Sequence, residues 1–164
     1  MAIYLPSAFG AELFGVALQS ATLEQLRNAA KGSGAVLIPG GDKNEWFEVY
    51  DSRELLPGSS KMYLGYVKAS RQLAFVEYEF IGLRQPVMLR NLRLKYGNGK
   101  IDKGKYVTDS KYQWQDQGIE ISLAADWPNY RTRLSYVNPL VLQDLHRERA
   151  QSMVEKLATD QSLY

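Results

Sequence analysis

The stretch LAFVEYEF, residues 73–80, decides the fold prediction, because apolar and acidic side chains alternate along it. A strand places every second side chain on the same face, so one face of this segment is apolar. The side chains predicted on that apolar face are Ala74, Val76, Tyr78 and Phe80. Glu77 and Glu79 point the other way. Residues 61–68 precede it with a similar composition, which predicts an antiparallel hairpin with one buried and one open face.

Further strands are predicted where aromatic and β-branched residues lie between turn residues. These segments are 45–51, 111–115, 120–125 and 130–137. The segment 120–125 continues an alternation that begins at Ile119. Together with the hairpin, these segments indicate a mostly antiparallel sheet.

Three helices are predicted from their end signals. The first begins after Thr22, whose hydroxyl and the Gln25 amide form a capping box, and ends near Gly32. The second covers residues 83–96 and ends at the glycines that follow it.

The third helix is predicted after Asn138, which caps it with a proline at the first helical position, and runs to about residue 157. Its apolar stripe is expected to consist of Leu142, Leu145, Met153 and Leu157.

The order of elements predicts a single α+β domain over residues 1–164 with an internal repeat. Each repeat, 13–82 and 83–157, has a helix followed by three antiparallel strands, with the helices packed on one face of the sheet. The triplet Leu26-Arg27-Asn28 is echoed by Leu89-Arg90-Asn91 in the second half. The uncovered sheet face is then the candidate functional surface.

The composition excludes several kinds of chemical site but does not indicate a particular function. The 164 residues carry a net charge of +2 and include no cysteine, which excludes disulfides, thiolate metal sites and cysteine nucleophiles. No apolar run approaches the roughly 20 residues of a transmembrane helix. Residues 1–11 are apolar and rich in small side chains, which is typical of either a signal remnant or an N-terminal arm. We therefore expect a periplasmic or secreted location, with the cytoplasm as the alternative.

Three sequence pieces resemble an uncharacterised family of bacterial exported proteins. They are residues 13–27, with Leu13-Phe14-Gly15 leading to Gln25-Leu26-Arg27; Tyr50-Asp51-Ser52 before Leu56-Pro57-Gly58; and Leu134-Ser135-Tyr136 before Asn138-Pro139. The repeated unit is also similar to the folds of β-lactamase-inhibitor proteins and small outer-membrane-assembly lipoproteins. That resemblance implies binding of proteins rather than catalysis. The acylated cysteine of the lipoproteins is absent here.

Catalytic, metal and cofactor motifs are not predicted. The single histidine, His146, cannot build a histidine-based zinc site or a catalytic triad, and the glycines match no nucleotide-binding pattern. Glu77 and Glu79 face one side of a strand, but Arg131 and Arg133 form a matching basic pair. A cross-strand ion pair is therefore favoured over paired-carboxylate catalysis. We predict a non-enzymatic protein, with an unrecognised enzyme as the remaining alternative.

Two surfaces are candidates for binding. Exposed aromatic side chains are typical of protein interfaces, and the candidates are Tyr63, Tyr66, Trp127 and Tyr130. The segment 84–111 is basic and interleaved with tyrosines, which is a pattern used to bind nucleic acid or other anions. The anion-binding candidates there are Arg90, Arg93, Lys95, Lys100, Lys103 and Lys105. A protein partner on the open sheet face is the preferred prediction.

Overall fold

The computed structural model describes residues 10–82, 84–105, 110–126 and 129–162, which contain ten strands in two sheets, three α-helices and a short 3-10 helix (Leu18–Ser20). The helices are α1 (Leu23–Gly32), α2 (Gln85–Tyr96) and α3 (Pro139–Gln161). A small sheet pairs β1 (Glu12–Leu13) with β2 (Val16–Ala17). The main sheet contains β3 (Val36–Leu37), β4 (Phe47–Asp51), β5 (Ser59–Tyr66), β6 (Leu73–Ile81), β7 (Lys100–Asp102), β8 (Lys111–Asp116), β9 (Ile119–Asp126) and β10 (Arg131–Val137).

The main sheet is antiparallel throughout, with the order β3-β4-β5-β6-β10-β9-β8-β7. The α+β prediction is therefore confirmed. Each half consists of a helix and a strand meander, and the last strands of the two halves, β6 and β10, pair at the centre. Each meander holds the three predicted strands and a short fourth one, β3 or β7. These short strands were missed because two or three residues are too few to show an alternating pattern. A duplication agrees with this order and stays a prediction.

The capping box predicted for α1 and the predicted C-terminal ends of α1 and α2 are present. Thr22 Oγ1 accepts from the Gln25 amide at 3.3 Å, and Gln25 Oε1 accepts from the Thr22 amide at 3.0 Å, which completes the capping box. The helix α1 ends at Gly32 as expected. The helix α2 ends before Gly97, whose φ of 83° lies in the left-handed region that glycine adopts without strain.

The helices α1 and α2 both pack on the apolar face predicted from residues 73–80, which we call the core face. Leu26 of α1 and Leu92 of α2 belong to the same buried cluster as side chains from six sheet strands. Those strand side chains include Tyr50, Met62, Leu64, Val76, Tyr78, Phe80, Trp114, Ile121, Leu134 and Tyr136. The opposite side of the sheet is the open face.

The third helix packs in a separate cluster at one end of the sheet. Val141 and Leu145 form a buried cluster with Val67 and Ala74, and Phe75 packs against this cluster. Asn138 caps the helix as predicted. The predicted stripe is wrong beyond its first half, because Met153 and Leu157 are 66% and 61% exposed. Beyond the turn of α3 around Glu148, whose carboxylate accepts from the Ala69 amide at 3.2 Å, the contacts of the helix are polar, such as the Lys156–Glu45 ion pair at 3.7 Å. Two helices thus cover the core face, and α3 leaves most of the open face uncovered.

Candidate functional site

The open face is organised in cross-strand rows, because the strands pair in continuous register. One row crosses six strands and has polar or aromatic side chains; we call it the central row. Its members, in order across the sheet, are Tyr63, Glu77, Ser135, Ser122, Gln113 and Lys100. The two halves of the chain therefore contribute to one continuous surface.

Aromatic side chains occupy one end of the central row. The rings of Tyr63 and Phe47 meet edge to face with their centroids 6.0 Å apart, and both residues are half-buried. Burial raises the pKa of Tyr63, and the neighbouring carboxylate of Glu79 raises it further. The Tyr63 hydroxyl is therefore neutral at physiological pH and can act as a hydrogen-bond donor to a partner.

Ion pairs join β6 and β10 beside these rings. Arg131 Nη1 lies 2.9 Å from Glu79 Oε2, and Arg133 Nη1 lies 3.5 Å from Glu77 Oε1. Ser135 Oγ also donates to Glu77 Oε2 at 3.0 Å. The cross-strand pairing predicted from the sequence is confirmed. The arginines lie diagonally across from their glutamates, because the residues directly opposite are Arg133 and Glu79, and Ser135 and Glu77.

A groove of about 450 Å³ lies at the other end of the central row. Its lining includes Gln113 and Ser122 from that row, and it reaches Val137 and Leu142 where α3 begins. The full lining consists of Tyr96, Gly99, Lys100, Lys111, Gln113, Trp114, Gln115, Glu120, Ile121, Ser122, Val137 and Leu142. We call it the open-face groove. Its volume lies in the range of about 300–1,000 Å³ that is usual for ligand sites.

A tight turn holds the strand that carries Lys100 against the rest of the sheet. Trp114 Nε1 donates to the carbonyl of Gly97 at 2.9 Å. A Cβ on Gly99 would come within 2.6 Å of the same indole nitrogen, so the backbone approaches the ring closely because residue 99 is glycine. This contact fixes the start of β7 and with it the position of Lys100.

The predicted aromatic candidates have different outcomes. Tyr63 lies on the open face as expected, and Tyr130 is 56% exposed in the turn before β10. The prediction that Tyr66 is exposed is wrong, because Tyr66 is 7% exposed and belongs to the main core. The Arg71 guanidinium lies 5.0 Å from its ring centroid. Residues three apart on a strand point to opposite faces, so the separation of Tyr63 and Tyr66 already indicated this. Trp127 lies outside the described residues.

The predicted anion-binding residues are all exposed: Arg90, Arg93, Lys95, Lys100, Lys103 and Lys105. Among them, Lys100 lines the open-face groove. Arg93 and Lys95 are on α2. The Arg93 guanidinium lies 5.7 Å from the ring centroid of Tyr112, and the Lys95 ammonium lies 5.1 Å from the ring centroid of Tyr96. The sequence did not indicate that Lys111, Gln113 and Ser122 would meet Lys100, because this depends on the register of three strands.

Sequence reasoning also missed a charged cluster on the core face. Arg27 Nε donates to Glu48 Oε2 at 3.0 Å, and the Tyr50 hydroxyl donates to the same oxygen at 2.6 Å. Burial raises the pKa of Glu48, but hydrogen bonds from Arg27 and Tyr50 lower it more, so the net shift is downward. The side chain of Glu48 is 7% exposed, so the cluster joins α1 to β4 rather than presenting a site.

Neither a metal-binding cluster nor a membrane-spanning helix is found in the described ranges. No group of three or more acidic or histidine side chains there is arranged to hold a metal ion, and His146 is exposed on α3. None of the helices in the same ranges combines the length and apolar character needed to cross a membrane.

Comparison with known proteins gives one structural likeness. The chain is similar to a DUF4309 family protein, YjgB, from Bacillus subtilis subsp. subtilis str. 168, with a TM-score of 0.43 and 13% sequence identity. The likeness covers 77% of this chain and 86% of that chain. No protein-family model matches the sequence, and no curated protein does. A likeness at this level carries no argument about function.

Proposed function

We propose that this protein is a non-enzymatic protein-binding module that docks its partner on the open face. The observation that supports this best is the Tyr63–Phe47 pair, which lies half-buried on the side of the sheet opposite α1 and α2. Aromatic rings held rigidly by a sheet provide a large contact area at a small entropic cost, and tyrosine adds a hydrogen-bonding group.

The charged side chains beside the rings suit the border of such an interface. The side chains of Arg131 and Arg133 are each 46% exposed while they pair with glutamates of β6. Arginine is enriched at protein interfaces, and charges at the border of an interface determine specificity and association rate more than affinity. The aromatic pair supplies the anchor in this proposal, and the arginines help to select the partner.

Affinity capture with matched variants tests the proposal. The immobilised protein is exposed to bacterial cell extract at low and high salt, beside Tyr63→Ala and the control Val87→Ala. Val87 is 68% exposed on α2, the helix that packs on the core face, so its truncation leaves the open face intact. We expect the wild type and the control to retain the same stoichiometric protein at high salt. Tyr63→Ala should retain about tenfold less, which corresponds to about 1.4 kcal/mol. Equal retention by Tyr63→Ala would contradict the proposal.

A second candidate function is the binding of nucleic acid or another anion through residues 84–111. It is supported by the exposure of the six basic candidates on α2, β7 and the loop after β7. Binding to phosphates releases counterions and therefore weakens steeply as salt rises, whereas an aromatic protein interface does not. Retention of nucleic acid at low salt alone would favour this candidate.

A periplasmic or secreted location is also proposed, with the cytoplasm as the alternative. It is supported by the resemblance of residues 13–27 to exported bacterial proteins and by the composition of residues 1–11. Fusion of the gene's full reading frame to alkaline phosphatase tests it, because that reporter needs disulfides that form outside the cytoplasm. Reporter activity is expected for export, and its absence at normal fusion levels would favour the cytoplasm.

A further inference from the structure

We infer, on the basis of the proposed protein-binding function, that the open-face groove recognises an extended acidic segment of the partner. The groove continues the central row that begins at Tyr63, so one partner can contact both regions. The inference depends on three features of the groove: two lysines, a floor of amide and hydroxyl groups, and an apolar wall.

The lysines provide the charge. Lys100 lies opposite Gln113, and Lys111 precedes Gln113 by two residues on β8, so the two lysines are diagonal neighbours on the open face. Neither lysine forms an ion pair with another residue of the described ranges, although Glu120 also lines the groove. Asp102 lies directly opposite Lys111 on the same face, so its carboxylate competes for that lysine. Because neither Asp102 nor Glu120 forms an ion pair with these lysines in the described ranges, both ammonium groups are available for carboxylates from outside the chain.

The spacing of the lysines fits an extended peptide. Diagonal neighbours in an antiparallel pair have Cα atoms about 7–8 Å apart. In an extended chain, residues two apart are separated by about 6.6 Å and point to the same side. Acidic side chains at positions i and i+2 of a bound segment would therefore reach Lys100 and Lys111 together.

The floor of the groove favours a peptide over a nucleic acid. Gln113, Gln115 and Ser122 each offer both donors and acceptors, which the N–H and C=O groups of a peptide require. A phosphate backbone needs donors and positive charge, so the acceptor atoms of this floor would find no partner on it.

The wall formed by Val137 and Leu142 adds an apolar surface where α3 leaves the sheet. A segment that combines two acidic side chains with an adjacent apolar side chain would match the groove along its length. The ligand expected for the groove is therefore an extended segment with acidic residues two positions apart and an apolar residue next to them.

Selection of peptides from a phage-displayed library of random 12-residue sequences tests this inference. The selection uses the intact protein at physiological salt, and the selected pools are sequenced. For the wild type we expect enrichment of Asp or Glu at positions two apart. Synthetic peptides made from the enriched sequences should bind Lys100→Gln/Lys111→Gln at least about tenfold more weakly, because two charge-assisted hydrogen bonds are lost.

Two further variants distinguish the effect of the groove's shape from the effect of the protein's net charge. Lys31→Gln/Lys43→Gln removes the same number of positive charges at exposed positions of other elements and should bind like the wild type. Ser122→Tyr fills the floor without changing the charge and should bind as weakly as the lysine variant. Thermal unfolding of each variant identifies any that fail to fold. If Ser122→Tyr fails to fold, the lysine pair and its charge control still decide the question.

The outcomes distinguish failure of this inference from failure of the proposed function. Absence of an acidic preference, or equal binding by Lys100→Gln/Lys111→Gln, would overturn the groove assignment. Capture of a protein that depends on Tyr63 would in that case leave the protein-binding proposal standing. Binding of a single-stranded 12-nucleotide probe that depends on Lys100 and Lys111, without peptide selection, would also overturn the assignment in favour of nucleic acid.

Discussion

Tyr63 and Lys100 lie on the same cross-strand row of the open face, connected through Glu77, Ser135, Ser122 and Gln113. The row crosses from β5 to β7, and at about 4.8 Å for each step between neighbouring strands its ends are about 24 Å apart. A partner that contacted both ends would cover a distance typical of an interface that buries about 800 Å² on each side. The aromatic pair and the groove can therefore belong to one docking surface.

Gly65 allows Phe75 to lie across β5, where α3 packs on it. A Cβ at position 65 would lie 2.0 Å from the Phe75 ring, so Gly65→Ala should lower the free energy of unfolding by about 1–3 kcal/mol. Gly32→Ala, at the last residue of α1 with no atom within 4 Å of the new Cβ, should be neutral or raise it by up to about 1 kcal/mol. Urea denaturation measures both, and equal effects would contradict the packing described for Phe75.

The fold and the open face were only partly predictable from the sequence. The alternation at residues 73–80 and the capping box at Thr22 were predictable because each depends on local spacing. The Glu–Arg pairs were predictable because two strands have pairs of opposite charges at the same spacing. The diagonal geometry of those pairs and the groove depend on the register between strands far apart in the sequence, which no local pattern specifies. Tyr66 was misplaced although its separation from Tyr63 indicated the buried face.

The Arg27–Glu48 pair should make stability depend on pH. The folded pKa of Glu48 lies below the value of 4.5 for a free glutamate, so the pair stabilises the fold above about pH 4.5 and loses this effect as the pH falls further. Glu48→Gln should lower the free energy of unfolding at pH 7 by about 1–3 kcal/mol, because Arg27 and Tyr50 lose a charged acceptor. Urea denaturation between pH 7 and pH 3 should show this difference shrinking toward low pH.

Glu24→Gln is the matched control for that series. Glu24 also pairs with an arginine, Arg71, but the two side chains are 46% and 40% exposed. An exposed pair of this kind contributes less than about 1 kcal/mol. A cost at pH 7 as large as that of Glu48→Gln would contradict the structural role of the buried cluster.

Asn138 should be important for docking α3. Its Oδ1 accepts from the Val141 amide at 3.4 Å, and its Nδ2 donates to the carbonyl of Gln19 at 3.2 Å. Asn138→Ala should reduce the free energy of unfolding by about 1–2 kcal/mol, through loss of the cap. Asn28→Ala, on the exposed side of α1, should have little effect or a slightly favourable one. Chemical denaturation of both variants checks this, and an unchanged Asn138→Ala would refute the capping role.

Charge reversal on α2 separates the two candidate functions. Arg90 and Arg93 are exposed on α2, which packs on the core face. Arg90→Glu/Arg93→Glu should therefore leave capture of a protein partner unchanged, while it should abolish any binding of polyanions. Loss of the protein partner in this variant would place the interface on α2 and contradict docking on the open face.

Site-specific photocrosslinking tests the central claim most directly. A photoreactive benzoylphenylalanine replaces Tyr63 in one variant and Val87 in another, and each variant is irradiated in the cells that express it. The account predicts one defined crosslinked protein from position 63 and no corresponding product from position 87. The same product from both positions, or none from position 63 when the variant is folded and abundant, would contradict the docking of a partner on the open face.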